Sequence, residues 1–307
     1  MKKCVLDQKN CFGICDDDVP LIREKETMKI YIEFTFTYAE ENVSWEIKKK
    51  VTQILYKLKK YRTGERWVFD FIYRLDQNTD LYKKVAELYK QYPEEIEFSR
   101  LSYSIDLTRE EKQAAAAFVP LFPKYICEEY EDIENEYEEC SACWVKRKDD
   151  MLFYVQPKGY IRSHQNDYGM AGLDGTGEVV LLPKLVKRLT EAGIDKKYFQ
   201  PVLSKRKKVM GYILVSKNIL PQGSYEDPNY KLAGRCRHCG QVKMEEDEKE
   251  ICIRQKTISK EGRKHMKDVN VSYEFFDDYR ELIVSKKVEQ IISKYVKYAE
   301  FLPVFER

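Results

Sequence analysis

Residues 179–202, VVLLPKLVKRLTEAGIDKKYFQPV, align without a gap with residues 281–304, ELIVSKKVEQIISKYVKYAEFLPV. Leu182 falls on Val284, Lys184 on Lys286, Val186 on Val288, Leu189 on Ile291, Phe199 on Phe301, Pro201 on Pro303 and Val202 on Val304. A chain that repeats a stretch in register has to build the same supersecondary unit twice, which removes most architectures from consideration. Both stretches read strand, helix, strand. Pro183 suits a first helical position, where no amide hydrogen is needed, and Ser285 suits an N-cap. Gly193 supplies a left-handed stop to the first helix. The Phe-x-Pro-Val ending reads as a short strand with Phe and Val on one face and Pro at a sheet edge.

A Cys-x-x-Cys pair precedes each stretch, Cys140 and Cys143 before the first, Cys236 and Cys239 before the second. Two thiolates make half of a tetrahedral metal site, so the repeat places the missing half of each pair in the other. A Cys4 zinc ribbon follows, with the metal in a structural role that pins two related halves of one domain. A redox pair and unliganded thiols are the alternatives for these cysteines. Gly240 lets the backbone turn left-handed after Cys239, whereas Trp144 stands at the equivalent place after Cys143. His238 is a rival ligand inside the second knuckle. Cys127 and Cys252 read as small buried apolar residues. The cysteines number nine, an odd count without an export signal, and this disfavours a disulfide framework.

The rest of the 307-residue sequence divides readily. Residues 1–27 hold Cys4, Cys11 and Cys15 without apolar periodicity and read as a poorly ordered leader. From Met28 to residue 107 the pattern predicts a βαβαβ domain: MKIYIEFTFTY as a strand, a lysine-rich helix on Val43, Ile47, Val51 and Leu58, WVFDFIY as a strand, a helix stopped near Pro93, and EIEFSRLSYSI as a strand. The lysines of the first helix read as a solvated outer face. Residues 108–307 form the duplicated domain, opening on a helix that Thr108 caps while Glu111 reaches back. The acidic run 128–139 reads as exposed chain, and GMAGLDGTGE, residues 169–178, as a loop. The fold class is therefore α+β or α/β. A net charge of +2 gives the whole chain little pull on nucleic acid or acidic lipid. With no apolar h-region and no run approaching a bilayer span, the sequence predicts a cytoplasmic protein without a membrane partner.

The two Cys-x-x-Cys pairs around GEVVLLPKLVKRLTEAGI, then RCRHCG, DVNVSYEF, ELIVSKKV and EFLPVF, resemble the bacterial double-CxxCG motif family and related immunity proteins of polymorphic toxin systems. The resemblance covers residues 108–307. It implies zinc at Cys140, Cys143, Cys236 and Cys239, and a partner that is a toxin encoded nearby. Trp144 departs from the glycine of that motif.

A non-catalytic, protein-binding immunity protein is accordingly the first functional expectation. The acidic runs 128–139 and 245–250 suit a basic partner. The alternative is a nucleic-acid-binding zinc ribbon using SKRKK (204–208), the RCRH knuckle and SKEGRKHMK (259–267). An enzyme is the third. His164, His238 and His265 stand in no nucleophile, base or metal motif, and the glycines of 169–178 lack both P-loop and dinucleotide spacing, which argues against catalysis.

Overall fold

The computed structural model describes residues 28–39, 43–65, 71–121, 126–127, 138–143, 146–147, 153–154, 168–173, 178–247, 251–277 and 279–307. The leader 1–27, most of the acidic run (128–137), Trp144 and His164 lie outside the described residues. Helices and strands mix throughout, with several sheets. No helix among the described residues is long and apolar enough to cross a membrane. The chain divides into two compact units, residues up to 113 with 247–254, and residues 114–246 with 255–307.

The first unit runs β1 (Lys29–Tyr38), helix Trp45–Leu58, β2 (Arg62–Glu65), β3 (Phe71–Asp76), helix Asp80–Gln91 and β4 (Ile96–Asp106). The strands lie in the order β2-β3-β1-β4, all neighbours antiparallel. A hairpin, β2–β3, replaces the single middle strand that the sequence suggests, giving the β-α-β-β-α-β, or ferredoxin-like, arrangement. The short RTGE strand carries no apolar alternation and so leaves no strand signal. Ile30, Ile32, Phe34 and Phe36 of β1 point into the core, under Ile47, Val51 and Leu58 of the first helix and Tyr82, Val85 and Leu88 of the second. Each helix starts on a hydroxyl cap: Ser44 Oγ accepts from the Ile47 amide and Thr79 Oγ1 from the Tyr82 amide.

The capping box at Thr108 forms as the sequence suggests. The Thr108 amide donates to Glu111 Oε2 at 2.8 Å and the Glu111 amide to Thr108 Oγ1 at 3.2 Å. Glu111 Oε1 also accepts from the Met28 amide at 2.9 Å, which ties helix Arg109–Ala114 to the start of β1. This helix therefore belongs to the first unit, and the boundary falls after Gln113 rather than before Thr108. Residues 251–253 also join this unit. Gln77 holds Ile253 at both ends of its amide, donating to the Ile253 carbonyl (3.0 Å) and accepting from its amide (2.8 Å). Tyr82 donates to the Ile251 carbonyl at 2.6 Å, and Cys252 is buried among the core residues.

The second unit contains β5 (Ala117–Pro120), β6 (Ile126–Cys127), β7 (Glu138–Glu139), β8 (Lys146–Arg147), β9 (Phe153–Tyr154), β10 (Met170–Leu173), β11 (Glu178–Leu181), β12 (Phe199–Leu203), β13 (Val209–Leu214), β14 (Tyr225–Glu226), β15 (Tyr230–Arg235), β16 (Val242–Glu246), β17 (Lys256–Ile258), β18 (Val269–Phe276), β19 (Tyr279–Ser285) and β20 (Phe301–Glu306). One sheet has the order β6-β10-β11-β13-β12-β9; the other has β14-β17-β20-β5-β19-β18-β16-β15. Within them, β10-β11-β13-β12-β9 and β18-β19-β5-β20-β17 match strand for strand. In both the first three pairings are antiparallel and the last is parallel. Helices Pro183–Glu191 and Lys286–Tyr295 bridge β11 to β12 and β19 to β20. They bury Leu185, Val186 and Leu189, and Val288 and Ile292, in one shared core.

Pro183 opens its helix, Ser285 Oγ accepts from the Val288 amide, and Gly193 adopts φ +86°. The Phe-x-Pro-Val reading needs correction. Phe199 and Val202 face opposite sides of their strand, one in the core beneath the helices and the other in a cluster with Val180 and Ile213. Three residues along a strand reverse the face, because side chains alternate. Nor does proline mark an edge: β12 and β20 are both interior. Their parallel neighbours begin one residue after it, at Val202 and Val304, where amide hydrogens are again present to donate. The glycine-rich 169–178 stretch is likewise no simple loop, since Met170–Leu173 forms β10 and pairs with β11.

Candidate metal centre

Both Cys-x-x-Cys pairs sit at the tips of antiparallel hairpins, the first between β7 and β8, the second between β15 and β16. In the second, the Cys236 amide donates to the Gln241 carbonyl and the Gly240 amide to the Cys236 carbonyl, each at 2.9 Å. Gly240 sits at φ +72°, the left-handed turn that the sequence assigns to it, and this folds the chain so that both sulfurs face one way. The first knuckle closes with the Cys143 amide on the Cys140 carbonyl at 3.3 Å.

The hairpins bring Cys140, Cys143, Cys236 and Cys239 together, with all four sulfurs within 4.8 Å of one another. Across the hairpins, Cys140 Sγ lies 3.9 Å from Cys236 Sγ and Cys143 Sγ 3.6 Å from Cys239 Sγ. Four thiolates about 2.3 Å from a tetrahedral metal are separated by about 3.8 Å, so the cluster has the dimensions of a four-sulfur coordination shell. These four residues could hold a metal ion. The thiols are half-exposed. Backbone amides of Cys239 and His238 point at Cys236 and pull its thiol down to about 6; the Ala142 amide pulls the Cys140 thiol below its ordinary value. Both shifts favour the thiolate, the form that binds metal.

His238 is exposed on the knuckle and is not among the gathered ligands. Cys252 is buried in the first unit, away from this cluster, in keeping with its reading as a small apolar residue. The Cys127 side chain and the leader cysteines lie outside the described residues.

The sequence reading missed the polar groups that brace the knuckles. Arg235 donates to the Gly240 carbonyl at 2.8 Å. Lys243 reaches across from the second hairpin to the Cys143 carbonyl at 3.5 Å. Arg280 donates to the Ser272 and Tyr273 carbonyls, both at 2.7 Å, and to Gln241 Oε1 at 3.1 Å, with its plane 4.6 Å from the Phe275 ring. Such outer groups fix the geometry of the cysteine ligands and offset thiolate charge. Cations on both sides of the second Cys-x-x-Cys, Arg235 just before Cys236 and Lys243 four residues after Cys239, were the available signal for these two; Arg280 lies too far along the chain to carry one.

A second charged cluster lies inside the same unit. Lys256, 6% exposed, pairs with Asp227 and with Glu281, the latter at 2.7 Å; Glu281 also accepts from the Tyr225 hydroxyl. Asp227 is held in turn by the Asn229 amide at 3.0 Å. Burial pushes the Glu281 carboxyl up, against the pull of Lys256. Every one of these groups has a hydrogen-bonded partner, the arrangement expected of a structural ion cluster.

The basic segment 259–267 forms helix Lys260–His265, where Arg263 pairs with Glu306, and Lys264 and His265 with Glu261. Residues 204–208 form the turn between β12 and β13, with Ser204 buried and Lys205, Arg206, Lys207 and Lys208 exposed. No protein-family model, no curated protein and no solved structure matches the chain.

Proposed function

We propose that the chain is a non-catalytic, zinc-stabilised protein-binding protein, an immunity protein that neutralises a bacterial toxin, and that residues 179–202 and 281–304 are copies of one ancestral unit. The observation that carries the scaffold half of this reading is the convergence of four sulfurs from two separate hairpins. Bound zinc would supply four metal–sulfur bonds and keep no position for water, which suits a cross-link and not hydrolysis. Arg235, Lys243 and Arg280 then hold the two hairpin tips in register around it. Zinc fits this donor set because soft thiolates at tetrahedral spacing select it over harder cations.

The immunity half rests on the resemblance of residues 108–307 to the double-CxxCG and immunity families. Glu245, paired with Lys231 of β15, and Glu246 lie exposed on β16, beside the sheet's outermost strand β15, where an approaching basic partner would meet them. The alternative zinc-ribbon nucleic-acid reading draws less support, since Arg263, Lys264 and His265 of 259–267 pair with the chain's own carboxylates. The test is co-expression with the product of each adjacent gene in a sensitive host, with pull-down of the same pairs. Protection by one pair, accompanied by co-purification, supports the reading. No protection and no complex for any neighbour overturns it.

A further inference from the structure

Helix Trp45–Leu58 buries Ile47, Val51 and Leu58 and leaves its opposite face to water. On that face Trp45 is 76% exposed and Tyr56 77% exposed. They are eleven residues apart, about three turns, so their rings project from one side of the helix about 17 Å apart along its axis. Lys49, exposed, lies between them on the same side. Six lysines and one glutamate occupy residues 45–60. Among the described residues no carboxylate pairs with Lys49, Lys57 or Lys59, whereas Lys48, Lys50 and Lys60 lie over the Tyr38, Tyr92 and Tyr61 rings. Aromatic rings are therefore interleaved with the lysines on the folded surface, although the sequence reads these lysines as a solvated outer face.

We infer that this face binds single-stranded nucleic acid, its bases stacking on Trp45 and Tyr56 and its phosphates meeting Lys49, Lys57 and Lys59. Isolated rings on a convex helix offer their faces to unpaired bases, and the lysines supply a grip that does not depend on sequence. A protein partner suits the face less. Glu46, Lys49, Thr52 and Gln53 separate the rings, so no contiguous apolar centre exists to be desolvated. A lipid surface suits it less too, since the apolar side that would enter a bilayer is already buried in the core. The inference is independent of the metal centre and of toxin binding.

The experiment is fluorescence anisotropy of the full chain with a labelled twenty-nucleotide oligothymidylate, at low and at physiological salt. Binding that weakens steeply with salt, and falls at least tenfold in Trp45→Ala/Tyr56→Ala, is the expected result. Lys49→Gln should reduce the salt slope by about one while leaving helix content unchanged by circular dichroism. No binding at low salt overturns the inference. So does binding that the double variant leaves intact, or equal binding to polyglutamate or to anionic phosphatidylserine vesicles, since either reports charge alone.

Discussion

Lys256 illustrates how a single side chain sets the terms for its neighbours. With Asp227 and Lys256 almost wholly buried, removing the cation strands two carboxylates in a poor dielectric. Lys256→Met is expected to cost about 3–5 kcal/mol in denaturant unfolding. Glu281 carries a pH dependence as well. Its folded pKa lies above its unfolded value, so the folded chain holds that proton more tightly. The resulting stability is complete below the unfolded carboxylate range and is lost as pH rises through the folded pKa. Glu281→Gln keeps an acceptor for Lys256 or Tyr225 without the charge. The stability difference between variant and wild type should therefore shift in the variant's favour from pH 4 to pH 8; a pH-independent difference would count against a raised Glu281. None of these residues announces itself in the sequence, because Asp227, Lys256 and Glu281 meet only once β14, β17 and β19 have been placed.

At the scale of elements, what was legible was local. Thr108 with Glu111, Ser285, Pro183, Gly193 and Gly240 act within a few residues of their own position, and each does what its chemistry suggests. Alternation in β1 and helical spacing in Trp45–Leu58 were equally readable, because burial of one face imposes them. The β2–β3 hairpin and β10 were not, since short strands rich in glycine or polar residues carry no period. Trp45 and Tyr56 became neighbours on a surface only through the helix. Gly211 on β13 shows a constraint of this kind: a Cβ there would lie 2.8 Å from Val180 Cγ1 and 3.0 Å from the Leu181 carbonyl oxygen. The backbone oxygen cannot swing aside, so β11 and β13 would have to separate. Gly211→Ala is expected to destabilise the second unit by about 1–3 kcal/mol, read as a fall in the denaturation midpoint.

Across the whole molecule, β5 is the strand whose place sequence alone could not give. It precedes the first of the two aligned stretches, yet it lies between β19 and β20 of the second, where Phe118 pairs with both Val284 and Pro303. The matching slot between β11 and β12 is filled by β13, which follows in the chain. The second stretch therefore closes its sheet with a strand from the far side of the first, and the two should unfold together. Phe118→Ala, at a site 1% exposed and edge-on to Phe301, is expected to cost about 3–5 kcal/mol. Hydrogen exchange should then accelerate in β19 and β20 as well as in β5; acceleration confined to β5 would contradict this linkage.

The four cysteines were named from sequence, but their meeting depends on two hairpins nearly a hundred residues apart, and the central claim is that a metal holds them. Zinc K-edge absorption on protein purified without chelator measures this directly. The account requires a zinc shell of four sulfurs at about 2.3 Å, lost or reduced to three sulfurs in Cys236→Ser. An absent zinc edge, or a shell containing nitrogen or oxygen in the wild-type protein, would contradict it.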